Sequence, residues 1–440
     1  MLTKKHAGHG LLILCCIIMM VILAQKKIGS QQTLLPSIST ERLKDADDYF
    51  RRGLHRLNSR EYDGAIQDFS QALAMNPGWA ATYYFNRGLA YARLHKNALA
   101  LEDMNKAISL NTRHQEFYYN RGLVYADQRE HDKAIADYNR SLFLSPRNPE
   151  VFNSRGLSYA ALHRLDSALY DYSKAITLSP LNATIYLSRG NLYSNSNMRK
   201  EAFEDYSRAL ALNPMDAKLC FEIGQAYAKS GAQEQALRAF DRVVALNTLY
   251  TQAYVQRGMI YFQRKQYVQA KNEFNRALAN NPRDPYALFN RGLTFLQTGE
   301  TTDAIQDFSD AIAARPAFPE AYYNLGLAHI RTGNNGLALN DMIRAIDLDV
   351  NYEKAYVQRG LLSGRMQMYS AATDDLTRAI ALDATDAEAY LGRANIYATL
   401  NDSVKARGDY AQYLQWTTPY DKNADSVRIL IRKLGGQPAM

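Results

Sequence analysis

An arginine and an acid recur along this sequence at one fixed separation. Arg52, Arg87, Arg121, Arg155, Arg189, Arg257, Arg291, Arg359 and Arg393 are each followed sixteen residues later by Asp68, Asp103, Asp137, Asp171, Asp205, Glu273, Asp307, Asp375 and Asp409. A guanidinium and a carboxylate that travel together can neutralise each other in a structural bridge between two elements. Alternatively, the arginines can form a ladder that binds an anionic partner. The acid at matching recurrence favours the bridge.

Other chemistry-bearing residues are sparse. His95 and His163 fall at turns, where a residue tolerant of left-handed backbone suits a helix end. Cys15 and Cys16 lie in an apolar stretch and Cys220 stands alone, so neither a disulfide framework nor a zinc site can be assembled. No H-E-x-x-H, G-x-S-x-G or Walker pattern occurs. The sequence therefore predicts no catalytic residue, no metal site and no cofactor, and the chain is not expected to be an enzyme.

The elements that carry these residues repeat. Gly88, Gly122, Gly156, Gly190, Gly224, Gly258, Gly292, Gly326 and Gly360 are spaced by 34 residues; Gly53 precedes them by 35 and Ala394 continues the series. Twelve residues after each comes an alanine, from Ala65 and Ala100 through Ala372 and Ala406. Apolar residues at helical spacing fill both halves of a unit such as Tyr118 to Pro146, which predicts two helices per period. Gly and Ala mark their close approach, and Tyr or Phe fills the space beside them. Turns such as Asn76-Pro77, Ser145-Pro146 and Asn281-Pro282 close the units, and the one extra residue falls after Pro77, in a turn. Tyr stands at 8 of 11 sites four before the Gly, 7 of 11 three after it and 4 of 11 sixteen after it. Repetition thus explains most of the 31 Tyr, and all three sites are assigned to packing between helices.

This pattern of aromatic, Gly, Tyr, Ala, aromatic, Ala and Pro resembles the tetratricopeptide repeat family. The resemblance implies an all-α fold, an α-solenoid (right-handed superhelix) of about eleven helical hairpins, and stacking is also required because no single hairpin buries its apolar face alone. The units span residues 46–80, 81–114, 115–148, 149–182, 183–216, 217–250, 251–284, 285–318, 319–352, 353–386 and 387–420. Residues 421–440 form a capping helix and tail, with Val427, Leu430, Ile431 and Leu434 at helical spacing before Gly435-Gly436. Repeat 6 departs most, with Cys220, Ile223, Ala239, Val243 and Thr248 at regular positions, and repeats 9 and 10 carry His329 and Ser363 where Tyr is usual.

Ahead of the repeats, residues 1–27 form an N-terminal transmembrane anchor or signal segment. The run from Leu11 to Ala24 holds no polar residue and is flanked by Lys4, Lys5, Lys26 and Lys27. Taken from Ala7 it would make a helix of about 27 Å, just enough to cross a hydrocarbon core. No A-x-A-like site follows, so an uncleaved single-pass anchor is the leading expectation and a cleaved signal the alternative. An anchor would put the solenoid on the extracytoplasmic side, periplasmic if bacterial; cleavage would make the product secreted or periplasmic. Residues 28–45 are a spacer and the start of the first helix, with Ser39 or Thr40 and Glu41 as start signals. The first 40 residues carry four of the eight net positive charges, and the body is nearly balanced, which excludes a basic nucleic-acid face.

Function is then expected on a surface. In the family the first helices line a concave groove, and the resemblance places there the residues three and two before and one after the Gly: Phe85, Asn86 and Leu89; Tyr119, Asn120 and Leu123; Phe289 and Asn290; Tyr323 and Asn324. Apolar side chains with amides suit an extended or helical segment of a partner protein; the opposing expectation is that some of them pack between adjacent units. The carboxylate clamp of chaperone-adaptor members is absent, since Leu54 and Leu89 replace its Asn and Phe50 and Phe85 its Lys, so no chaperone binding of that kind is expected. The sequence thus predicts a non-enzymatic, membrane-anchored protein-interaction scaffold, or alternatively a receptor or assembly subunit of a protein-translocation or envelope-biogenesis machine.

Overall fold

Each repeat breaks its helix at the same point by the same device. Three residues after the glycine position, a carbonyl accepts a bond from the backbone N–H five residues on: Lys96 to Tyr91 at 3.0 Å, Glu130 to Tyr125 at 2.9 Å, Arg164 to Tyr159 at 2.9 Å. Such a closure needs one residue in left-handed backbone. Arg60, His95, Arg129, His163, Asn197, Lys265, Gln367 and Asn401 adopt it with φ from 56° to 66°. Gly231, Gly299 and Gly333 take the same place in the remaining hairpins, with φ from 77° to 85°. The turn assignment of His95 and His163 is borne out.

The computed structural model describes residues 45–418 and 421–435. The chain divides into two compact units, up to Met215 and from Asp216. In the first, the helices are α1 (Ala46–Asn58) and α2 (Tyr62–Met75), α3 (Ala80–Arg93) and α4 (Asn97–Leu110), α5 (Gln115–Asp127) and α6 (His131–Leu144), α7 (Pro149–Ala161) and α8 (Leu165–Leu178), α9 (Ala183–Asn195) and α10 (Arg199–Leu212). The inserted residue after Pro77 is absorbed in a short 3-10 turn, Pro77–Trp79. In the second they are α11 (Ala217–Lys229) and α12 (Gln233–Leu246), α13 (Thr251–Gln263) and α14 (Tyr267–Asn280), α15 (Pro285–Thr298) and α16 (Thr301–Ala314), α17 (Pro319–Arg331) and α18 (Asn335–Leu348), α19 (Glu353–Arg365) and α20 (Tyr369–Leu382), α21 (Ala387–Thr399) and α22 (Ser403–Trp416), and a last helix α23 (Ala424–Lys433). Within each unit, paired helices pack as hairpins and the second helix of one repeat packs on the first helix of the next. The described residues contain helices and turns and no strand, so the all-α solenoid of stacked hairpins stands.

The glycine series marks the tightest approach within a hairpin. A Cβ on Gly122 would lie 2.7 Å from Tyr138, on Gly258 2.5 Å from Phe274 and on Gly292 2.8 Å from Phe308, closer than real contacts allow, so only glycine admits these rings. The rings are fully buried. At the start, α1 is capped by Asp45, whose carboxylate accepts from the Asp48 N–H at 2.9 Å. At the end, Val427 and Ile431 of α23 bury against Tyr410 and Tyr413, with Leu430 and Leu434 beside them: the expected capping helix. The apolar run 11–24, its four lysines, the spacer, and Ser39, Thr40 and Glu41 lie outside the described residues. Among the described residues no helix is long and apolar enough to cross a membrane.

Candidate partner-binding face

The arginine one before the glycine sits on the first helix of its hairpin, and the acid sixteen residues on faces it from the second. In eight repeats Nε and Nη2 grip the two carboxylate oxygens at 2.6–2.9 Å, as in Arg155–Asp171 and Arg291–Asp307. This fork-on-fork pairing is the bridge the spacing predicted. Burial pushes Asp171 and Asp307 above the ordinary carboxylate range, and their arginines pull them back only in part, so the bridge offsets a desolvation cost rather than adding free stability. Repeat 7 shows the limit of the geometry. Glutamate is one methylene longer, and Arg257 reaches Glu273 only at 3.3 Å.

The spacing did not reveal the guanidinium's other end. Nη1 reaches back to the second helix of the preceding repeat: Arg87 to Ser70 at 2.9 Å, Arg121 to Asn105 and Arg155 to Asn139 at 2.6 Å, Arg189 to Ser173 at 3.3 Å, Arg291 to Asn275 at 2.8 Å and Arg393 to Thr377 at 2.9 Å. Each of these six arginines therefore closes its own hairpin and staples it to the one before. A polar residue sixteen or seventeen positions upstream of these arginines was the available signal. With both edges engaged, these guanidinia hold no open fork for an anion.

The tyrosines around the glycine need a corresponding correction. Those four before and three after it flank the arginine one residue before the glycine: Arg121 lies 5.8 Å from the Tyr118 ring centroid and 5.9 Å from Tyr125, and Arg189 lies 5.9 Å from Tyr186 and 5.8 Å from Tyr193. They sandwich a cation, which helix spacing of i−3 and i+4 permits. The series sixteen after the glycine, such as Tyr138, Tyr172, Tyr206 and Tyr410, is fully buried between helices, and several of the flanking tyrosines, such as Tyr118, Tyr227, Tyr254 and Tyr390, are buried in the core as well.

The residues placed on the groove divide. Phe85, Tyr119 and Leu123 are buried; Leu89, Phe289 and Tyr323 are half-buried. The aromatics pack toward the end of the repeat or beyond it: Phe85 lies on Phe117 of the next repeat with centroids 4.7 Å apart, and Phe289 and Tyr323 lie on Phe318 and Tyr352, the last residues of their own repeats, at 4.9 and 5.2 Å. The Tyr119 hydroxyl meets Ser154 of the next repeat at 3.4 Å, and burial pushes its pKa up to about 12. Asn86, Asn120, Asn290 and Asn324 all behave alike: each Nδ2 donates to the carbonyl four residues back in its own helix, at 2.7–2.9 Å. Each amide nitrogen thus commits one of its two N–H donors to the helix, and each half-buried side chain keeps the other donor beside a carbonyl oxygen that accepts.

Repeats 9 to 11 carry the most perturbed carboxyl. Burial, then Asp386 and Asp383, push Glu353 up to about 8. Burial, with Glu388 and Glu353 nearby, raises Tyr323 to about 12. Among the described residues no three His, Cys, Asp or Glu side chains gather as a metal-holding group.

Comparison with known proteins follows the same periodicity. Profiles described as tetratricopeptide repeat match residues 50–108, 187–254, 255–317 and 297–351, and residues 116–148. Serine/threonine-protein phosphatase 5 from mouse is 41% identical over 75 residues, which are 17% of this chain and 13% of the phosphatase; the human protein is 40% identical over the same length. The chain thus spans a small part of these relatives. Among solved structures, yeast Tom70 is 16% identical with a TM-score of 0.42, over 89% of this chain and 95% of Tom70. A tetratricopeptide repeat protein from Parabacteroides merdae is 21% identical with a TM-score of 0.45, over 57% of this chain and 98% of its own.

Proposed function

This chain belongs to the tetratricopeptide-repeat family, and from that premise we propose that it is a non-enzymatic, membrane-anchored scaffold that receives a segment of another protein along its first helices. The observation that carries the reading is the row of half-buried asparagines, Asn86 and Asn120 in one unit and Asn290 and Asn324 in the other, each with one N–H committed to its own helix. What such a row offers is a line of amides at the repeat spacing, beside apolar surface, each with a carbonyl acceptor and one remaining N–H donor, and the backbone N–H and C=O groups of an extended or helical segment fit it. The arginine ladder supports the same reading from the other side, because its cations are consumed by the scaffold and leave recognition to neutral groups. The buried Phe85, Tyr119 and Leu123 hold the seams that set the asparagine spacing.

Anchoring would rest on residues 11–24, with the repeats on the extracytoplasmic side. Photocrosslinking residues at Asn290 and Asn324 in the full chain, compared with one at Val268, whose side chain is 69% exposed, test the face: a single protein should be captured at both asparagines and not at Val268. Equal capture at all three sites, or at none, would remove the proposal. A topology reporter fused after Met440 tests the placement.

A further inference from the structure

The back-reaching arginines are interrupted within the second unit. Arg291 and Arg393 reach Asn275 at 2.8 Å and Thr377 at 2.9 Å, while Arg257 only forms an ion pair back to Asp241, through Nε at 3.3 Å and without a hydrogen bond. Repeat 9 has Leu325 at the arginine position and sends no such staple back; Ser309 turns its hydroxyl to the Ile305 carbonyl at 2.7 Å instead. Repeat 10 keeps Arg359, which grips Asp375 at 2.6 and 2.8 Å. Sixteen residues upstream of it, however, stands Ile343, which offers no acceptor.

The two seams of repeat 9 are not equally poor. Toward repeat 8, Arg331 donates to the Leu296 carbonyl at 2.7 Å. Toward repeat 10 the contacts are apolar and aromatic, with Met342, Ala345 and Ile346 against Ala355 and Tyr356 beside them. The Tyr356 hydroxyl reaches the Val350 carbonyl only at 3.5 Å. That turn also carries Val350 where six of the other turns have proline and three have Thr112, Thr248 or Ala384, so the open chain keeps more freedom to be lost on closing than at the adjoining turn between repeats 8 and 9, which has Pro316.

In an array whose repeats touch only their neighbours, the seam with the fewest ties parts first. We propose that the second unit opens first between repeats 9 and 10, so that repeats 10 and 11 with α23 open as one cooperative block while residues 217–348 stay closed.

Hydrogen exchange on the full chain tests this. Amides of α19 to α22 and α23 should share one opening step and exchange about tenfold faster than buried amides of repeats 7 and 8. Ile343→Asn, at a side chain 36% exposed, supplies the acceptor that Asn275 supplies elsewhere. It should slow that block about fivefold and leave repeats 7 and 8 unchanged. Asn275→Ile, at an exposed position, should create a second opening seam between repeats 7 and 8. The proposal is overturned if repeats 10 and 11 exchange together with repeats 7 to 9, or if a folded Ile343→Asn leaves their exchange unaltered. If Ile343→Asn does not fold, the proposal falls should Asn275→Ile create no new seam.

Discussion

In repeat 8 a guanidinium holds the buried acid; in the adjacent repeat 9 an imidazole does. Arg291 takes Asp307 with two donors at 2.8 and 2.7 Å and Asn275 with a third at 2.8 Å. With Leu325 in the arginine position, Asp341 is met instead from one turn further along the helix, by His329 Nδ1 at 2.7 Å. The glycine partner changes as well: Gly292 faces the Phe308 ring and Gly326 the Met342 methyl. The difference separates two roles. An imidazole can satisfy the acid inside its own hairpin, but only the longer, forked guanidinium also reaches the neighbour.

The most severe test of this comparison removes each cation. Arg291→Ala leaves Asp307, 3% exposed, without a counter-charge and should cost about 3 kcal/mol in denaturant unfolding. His329→Ala should cost about 1 kcal/mol, because Asp341 is partly solvated and loses one bond. Equal losses would erase the distinction. Next come the glycines. Gly292→Ala drives a Cβ into a buried ring and should cost about 2 kcal/mol, whereas Gly326→Ala meets the end of a flexible methionine and should cost under about 1 kcal/mol.

The exchange can also be reversed. Leu325→Arg with His329→Tyr restores in repeat 9 a cation that reaches both Asp341 and Ser309, and should raise stability by about 1 kcal/mol; destabilisation would mean that the surrounding packing has adapted to histidine. The smallest effect sharpens the comparison at repeat 9's far side. Glu353, pushed up to about 8 by burial and then by Asp386 and Asp383, has a folded pKa above the unfolded value of about 4.3. Its contribution is therefore fully present below the unfolded value and is lost as pH rises toward about 8. Glu353→Gln should flatten stability between pH 5 and 9 and exceed the parent at pH 9 by less than about 1 kcal/mol, given solvent screening. Parallel curves for the two proteins would show that this carboxyl does not lose its proton there.

The hairpins, their turns, the glycine contacts and the Arg–Asp bridges were legible because each is a relation inside one repeat, and a fixed spacing in sequence is there a fixed spacing in space. The staples were not, because they join different repeats, and their acceptors vary among Ser, Asn and Thr. The role of His329 was hidden for a different reason: it holds Asp341 inside its own hairpin, but from the position where tyrosine is usual. On the candidate face, the spacing could not tell a side chain open to solvent from one turned into the packing, as Phe85 and Tyr119 are.

The backward reach of the arginines also bears on how such a chain gains or loses length. If residues 149–182 were cut out, Arg189 would follow Asn139 at the separation Arg155 has now, and would find the same kind of amide. Insertion of a duplicated 34-residue stretch would be equally harmless to the pairing. A gene built this way can recombine unequally within itself and still encode stapled hairpins. Only a slip by a fraction of a period would leave a cation and an acceptor facing strangers.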